Sequence, residues 1–417
     1  MLTSPLLVPL LLVGAALAAW GVARLVRRRR GRTVTAVATV LAFLVVTAGG
    51  VQVWALAALD ASAVARAIVW RDADVDDWRR FPALPVPTGP RTLELRPGSL
   101  PAGVLDEVTL PGGSTEDLDG LLERTDTQAF LVLRGDELLV EQYYDGGSRE
   151  ATQTSFSVAK SILSTLVGIA VHRGEIGSLD DPVTDYVPEL LDRDEDFARV
   201  TLRPLITMSS GLHYEERGLP WSDDSVTYYS PDLRATALSA DIDEAPGVRW
   251  HYDNYNPLLV GLVLERATGT PVADYASEVL WQPLGAEADA SWSADSEADA
   301  FPKMESGFNA RAVDYARFGH LFAHEGRIGD RQVVPAAWVA EATARDTSAD
   351  PAEHYQYWWW VDTEREGRFS ARGNKGQYVY VDPATDVVVV RMGRDYGIED
   401  WPAVLRDVAD RVGAAGM

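Results

Sequence analysis

The chain contains no cysteine. That excludes disulfides, thiol nucleophiles and cysteine-ligated metals, and it suits an exported domain that must fold without redox help. Lysine is nearly as scarce: of 38 basic residues only Lys160, Lys303 and Lys375 are lysines. Arginine serves wherever a fixed charge suffices, but it cannot be deprotonated in a protein, and lysine can. A lysine beside a nucleophile is therefore singled out. No serine has glycine two residues away on both sides, so the Gly-x-Ser-x-Gly elbow is absent. His320 and His324 stand four apart on an expected helix, but there is no His-Glu-x-x-His and no evident third ligand, so no metal is expected. Positive charge is short overall, with a formal net charge of −24. Residues 61–417 hold 32 basic and 61 acidic side chains, a net of −29. Such a surface repels nucleic acid and anionic lipid, so neither is an expected partner.

Long apolar runs are present at the start of the chain. Residues 5–23 and 34–59 are almost wholly apolar, and each is long enough to span a bilayer as a helix. The intervening Arg24-Leu25-Val26-Arg27-Arg28-Arg29-Arg30-Gly31-Arg32 is a basic loop of the kind retained on the cytoplasmic side. A cleaved signal peptide, with Ala16-Leu17-Ala18 as its cleavage site, is the competing reading. It requires positive charge before the apolar core, and here the charge follows. The expectation is a transmembrane hairpin over residues 1–60, a connector over 61–126, and a folded domain over 127–417 outside the cytoplasm. Within the connector, Phe81-Pro82-Ala83-Leu84-Pro85-Val86-Pro87 is too proline-rich for helix or inner strand.

The folded domain is organised around Ser155-Phe156-Ser157-Val158-Ala159-Lys160-Ser161. Ser157 and Lys160 are three apart at the start of an apolar run to Val171, a spacing that shares one face of a helix. A serine hydroxyl is a weak nucleophile and needs a base, and a lysine desolvated in a closed site can serve. The helix N-terminus would further stabilise negative charge developing at Ser157. Before the motif, residues 128–134 and 138–144 read as two strands joined by a turn. After it, Leu205–Leu212 reads as a short helix stopped by glycine. Residues 213–247 read as pocket-shaping loops. Helices follow over 256–266 and 310–324, then strands near 355–361, 368–371, 377–381 and 386–391, and a last helix near 403–412. This order implies an α/β domain, with an antiparallel sheet joining both ends of the sequence, flanking helices and an inserted mostly helical lobe.

Two further stretches carry candidate chemistry. In Val248-Arg249-Trp250-His251-Tyr252-Asp253-Asn254-Tyr255-Asn256-Pro257, Tyr252 offers a phenol that could relay a proton and Asn254 an amide that could hold lysine or substrate. The plainer alternative is an aromatic loop with Asn256 capping the next helix. In Gly373-Asn374-Lys375-Gly376-Gln377, glycines allow another backbone to approach a strand edge, or simply make a hairpin turn. Trp358-Trp359-Trp360 reads as packing before it reads as a binding platform.

Together the three stretches resemble the serine beta-lactamase and penicillin-recognising superfamily, in its class C-like branch of esterases, D-amino-acid peptidases and 6-aminohexanoate oligomer hydrolases. The resemblance covers roughly residues 120–413, with Ser157-Val158-Ala159-Lys160 and Tyr252-Asp253-Asn254 in the family's order and spacing. It implies acylation of Ser157, proton abstraction by Lys160, and Tyr252 acting with Lys160 and protonating the leaving group. It also implies an oxyanion hole from the backbone N–H of Ser157 and that of Asn374. Neither cofactor nor metal is implied, and the partner is a small or short-oligomer acyl substrate. The chain departs from the family at its third element, where Lys-Thr-Gly is replaced by Ala371-Arg372-Gly373 or the offset Lys375-Gly376. That removes the usual partner of a beta-lactam carboxylate, so an ester or amide of another kind is the expected substrate. A non-catalytic sensor with the same pocket, and an acyltransferase, are the alternatives.

Overall fold

The computed structural model describes residues 19, 20, 24, 32–346 and 352–416. Nearly all of the first expected membrane segment, residues 5–23, and of the arginine-rich loop lies outside the described residues, as does the Ala16-Leu17-Ala18 stretch. Helix α1 (Arg32–Ala57) covers the second segment, expected over 34–59, as far as Ala57. Its span Thr33–Ala57, 25 residues of mean hydropathy 2.2 and unburied, is the one helix among the described residues long and apolar enough to cross a membrane.

The chain forms two compact units. The first joins the chain up to Ala73 with Glu215–Pro231. Here Ser62 caps helix α2 (Ala63–Trp70) by accepting from the Ala65 N–H. The buried Arg66 donates to the Leu59 carbonyl at 2.9 Å and to those of Tyr229 and Ser230 at 3.4 and 3.3 Å. Trp70 meets Tyr229 edge-on. Part of the stretch expected to be pocket loops is therefore a short helix, Asp223–Tyr229, packed against α2.

The second unit, Asp74–Tyr214 with Asp232 onward, is built on an eight-stranded sheet. Its strands include β2 (Arg96–Pro97), β3 (Thr127–Arg134), β4 (Glu137–Tyr143), β8 (Tyr355–Gln356), β9 (Trp359–Val361), β10 (Phe369–Gly373), β11 (Gln377–Asp382) and β12 (Val387–Gly393). The order is β8-β9-β10-β11-β12-β3-β4-β2, antiparallel except where β2 lies parallel to β4. Both faces of its centre are buried. Ala129, Leu131, Leu133, Val388 and Val390 point into the larger core. Phe130, Val132, Val387 and Val389 point into the core closed by the C-terminal helix Trp401–Ala415. A strand buried on both faces reads as an unbroken apolar run, which explains the four consecutive valines.

A second sheet supports the nucleophile. It contains β1 (Ala83–Val86), β5 (Thr152–Thr154), β6 (Ala290–Ser293) and β7 (Phe308–Arg311), in the order β1-β6-β7-β5. Part of the proline-rich segment thus does form a strand, and Pro85, the one proline inside it, is accommodated because β1 is an edge. Two other expectations shift. The helix expected over 205–212 runs over Leu202–Ile206, because Pro204 fits only a first turn. Residues 310 and 311 are the end of β7, and the helix there is Ala312–Ala323.

Candidate active site

Helix α3 (Val158–Arg173) begins where β5 ends, and every residue from Val158 to Ala170 is buried. Gly168 in its middle lies against the Trp338 indole, where no side chain would fit. A helix enclosed on all sides holds its N-terminus rigidly. The turn into it is strained. Phe156, buried, has a φ of +46°, a left-handed conformation that costs a non-glycine residue about 1–3 kcal/mol. It delivers Ser157 to the N-cap position, half-buried, with a φ of −67°.

Lys160 is 1% exposed. Its Nζ donates to Ser157 Oγ at 3.0 Å and to the Glu305 carbonyl at 2.9 Å. It also lies 4.8 Å from the centre of the Tyr252 ring. No carboxylate lies within ion-pair distance of this amine among the described residues. The Glu305 carbonyl is fixed by its own side chain, whose Oε1 accepts from Lys303 at 3.1 Å and from Ser306 at 2.7 Å. Of the three lysines, then, one is set against the serine and one is locked in a buried ion pair.

Tyr252 comes from the loop before helix Tyr255–Thr268. Its ring stacks on Trp360 at 6.2 Å and meets Tyr355 edge-on at 6.1 Å. Asn254 occupies the N-cap position without a side-chain cap bond. Its Nδ2 donates to Tyr214 Oη at 2.7 Å and its Oδ1, buried, has no hydrogen-bond partner. Among the described residues it makes no hydrogen bond with Lys160. One residue earlier, Asp253 Oδ1 accepts from the Tyr255 N–H at the start of the helix. Asn256 lies inside the helix and donates to Met208 Sδ, so the alternative of an Asn256 cap does not hold.

The third stretch is a hairpin between β10 and β11. A Cβ at Gly373 would stand 2.2 Å from the Ser155 carbonyl oxygen and 3.2 Å from Phe156 Cβ. The end of β10 is therefore pressed against the backbone that carries the serine. Asn374 is exposed, and its Oδ1 accepts from Tyr396 at 3.1 Å. Lys375 has a φ of +59°. Gly376 has a φ of +79° and its carbonyl accepts from Arg391. Gln377, buried, donates to the Gly393 carbonyl at 2.6 Å and braces the hairpin. Gly373 thus abuts the serine turn, while Gly376 and Gln377 shape the hairpin behind it.

Sequence reasoning missed two contributors. The Glu305 carbonyl is a backbone group with no signature of its own. Trp360 is separated from Trp359 by strand parity and from Trp358 by the turn that Trp358 makes with a φ of +64°: Trp358 and Trp359 are buried, and Trp360 faces Tyr252. Elsewhere, Asp232, Asp295 and Asp299 bring oxygens within 4.8 Å of one another. Asp295 there accepts from the N–H groups of Leu233, Ser296 and Phe301. His320 and His324 are taken up by the Gly135 carbonyl and Asp386.

Comparison with known proteins bears on the family and the fold. The Beta-lactamase family model matches residues 118–410. A 6-aminohexanoate-dimer hydrolase of Paenarthrobacter ureafaciens is 30% identical over 315 residues, which span 69% of this chain and 76% of that protein. Esterase EstB of Burkholderia gladioli is 34% identical over 192 residues, 41% of this chain and 48% of that one. Among solved structures, a Bacillus anthracis protein provisionally named a 6-aminohexanoate-dimer hydrolase superposes with a TM-score of 0.71 at 21% identity, covering 80% of this chain and 90% of its own.

Proposed function

The chain belongs to the Beta-lactamase family, and from that membership we propose that it is a membrane-anchored serine hydrolase that cleaves an ester or amide through an acyl-serine intermediate. The observation that carries the reading is the pairing of Lys160 Nζ with Ser157 Oγ at 3.0 Å. With the amine neutral, the same contact reversed lets Oγ pass its proton to Nζ as it attacks the acyl carbonyl. The second hydrogen bond of Nζ, to the Glu305 carbonyl, keeps the amine aimed while the proton moves. Tyr252, against the same amine, carries the proton on to the departing alcohol or amine. The tetrahedral oxyanion is received by the Ser157 N–H at the helix N-terminus and by the Asn374 N–H at the end of β10. Water then enters, gives its proton back through the Tyr252–Lys160 pair, and releases the acid.

Two features narrow the substrate. Without Lys-Thr-Gly at the third element, beta-lactams lose their usual carboxylate partner. The relative in Paenarthrobacter is named for a linear amide, which makes linear amides and esters the first compounds to try. The apolar span Thr33–Ala57 and the arginines before it support a catalytic domain held outside the cytoplasm.

The test is covalent labelling. Full-length protein should take a fluorophosphonate probe and turn over a p-nitrophenyl ester, and Ser157→Ala should lose both. Correctly folded wild-type protein that takes no label overturns the reading in favour of a binding protein.

A further inference from the structure

Lys303 takes no part in the chemistry above, yet it is as deeply buried as Lys160. It pairs with Glu305 at 3.1 Å, and the two side chains are 2% and 1% exposed. Both stand on one tight turn before β7. The Lys303 carbonyl accepts from the Ser306 and Gly307 N–H groups at 3.2 and 2.7 Å and from Trp292 Nε1 at 2.9 Å, so three donors close the turn on a single oxygen. A Cβ at Gly307 would stand 2.8 Å from Lys303 Cβ and 2.9 Å from the Lys303 and Ser293 carbonyl oxygens, which leaves room only for glycine. Inside this turn sits Glu305, whose carbonyl receives Lys160 Nζ at 2.9 Å.

A turn so closed does not need a buried ion pair to hold its shape. Two charges taken out of water lose solvation that their attraction barely offsets, and apolar residues of similar volume often serve as well. Here the pair has support on both sides. Ser306 Oγ donates to the same Glu305 Oε1 at 2.7 Å, and the Lys303 ammonium lies 4.4 Å from the centre of the Phe81 ring, a residue of the expected connector. Glu305 Oε2, buried, has no hydrogen-bond partner among the described residues. The carboxylate therefore depends on Lys303.

We propose that Lys303 and Glu305 are positioning residues for the catalytic base. The pair fixes the carbonyl that aims Lys160, and the Lys303 ammonium cancels the charge of a carboxylate belonging to the very residue that holds the amine. The inference rests on the acyl-serine reading above, in which Lys160 accepts the Ser157 proton only as a free amine. Bond lengths alone keep the Glu305 carboxylate within about 10 Å of that amine. Left without Lys303, it would hold a proton on the nitrogen, an effect of about one pH unit at that separation and an effective dielectric of about 20. Other titratable groups reach this end of α3 from the elements around it: Tyr252 and Asp253 from the loop before Tyr255–Thr268, Tyr355 from β8, Arg372 and Lys375 from the β10–β11 hairpin, and Tyr315 from Ala312–Ala323. All six stay the same when only the pair is changed, so a difference between variants reports the pair.

The test follows the pH dependence of second-order fluorophosphonate labelling, and of kcat/KM for a p-nitrophenyl ester, in full-length protein in detergent. Lys303→Met keeps the apolar stem and should move the acid limb of both profiles up by about one pH unit. It should also lower the plateau about tenfold, chiefly through kcat. Combining it with Glu305→Gln removes both charges. The limb should then return to its wild-type position while the plateau stays low, because the tether is gone. Where Lys303→Met fails to fold, Glu305→Gln alone leaves the ammonium in place and should move the limb the opposite way. A limb that does not move in these single variants, or that stays displaced in the double variant, overturns the proposal; loss of packing alone would lower the plateau and leave the limb in place. The two readings fail separately. Folded wild-type protein that takes no label refutes the acyl-serine chemistry and the inference with it, and normal wild-type labelling with superimposable limbs in the variants refutes the role of the pair alone.

Discussion

Gly373→Ala tests the candidate site without touching a reacting group. The backbone there is extended, with φ −133° and ψ 159°, which alanine adopts freely, so conformational strain is not the cost. The cost is space. The added carbon would sit 2.2 Å from the Ser155 carbonyl oxygen, with Gln377 Cβ at 3.1 Å and Phe156 Cβ at 3.2 Å. Reaching ordinary contact requires a movement of about 1 Å. Ser155 resists it, because its N–H is bonded to the Phe308 carbonyl at 2.9 Å and Phe156 already holds a left-handed turn. The end of β10 yields instead, and the Asn374 N–H moves away from Ser157. Overpacking of this kind costs about 1–3 kcal/mol of stability, and a displacement of about 1 Å at a reacting centre costs about 100-fold in rate. The assay pairs the second-order rate of fluorophosphonate labelling and ester kcat with a thermal midpoint. A folded Gly373→Ala protein that labels and turns over like wild type would show that the end of β10 is no part of the site.

Lys160→Arg should be inactive in ester turnover although it keeps the charge, because arginine cannot act as base; an active variant would remove Lys160 from that role. Glu287 accepts from Arg149 at 2.8 Å and Arg317 at 3.1 Å, and chiefly the Arg149 bond holds its carboxyl down at about 2 against an ordinary 4.5. A depressed carboxyl stabilises the fold above the unfolded pKa, so a contribution of about 1 kcal/mol, discounted for the partial exposure of Glu287, should be present above pH 4.5 and lost as pH falls toward 2. Glu287→Gln should flatten that slope in urea unfolding at pH 7, 4.5 and 3, and parallel curves would refute the assignment. Protease added to intact cells should remove the catalytic domain and spare the apolar N-terminal segment; a domain protected until lysis would place it in the cytoplasm.

What could be read from the chain was what is local. Ser157, Lys160 and the apolar run after them lie in one helix, so spacing alone puts hydroxyl and amine together. Tyr252 was legible as a motif before a helix, and the strands around residues 130 and 140 by their composition. What could not be read depends on groups without side-chain identity or on distant closure. The Glu305 carbonyl lies 145 residues from the amine it holds, and a carbonyl is the same in every residue. Asn254 offered an amide for the lysine or the substrate; that its Nδ2 bonds Tyr214 depends on how two loops fold over each other. The edge strand Ala83–Val86 was hidden by Pro85 within it and by Pro82 and Pro87 on either side, which forbid only an inner position.

The pairing of β3 with β12 joins Phe130 to Arg391 and Val132 to Val389, ends of the chain separated by most of the domain. Long closures of this kind slow folding more than they weaken the product, since loop entropy grows only with the logarithm of length. While the chain is being made, Ser157 emerges long before the strands that will face it, and the valine run of β12 arrives nearly last. Until then the partner edge of β3 stands open, an apolar template for association with other chains. Competence therefore arrives late, and a chain cut short before Val387 would carry the groups of the site without the strand that joins β11 to β3 and closes the sheet behind them.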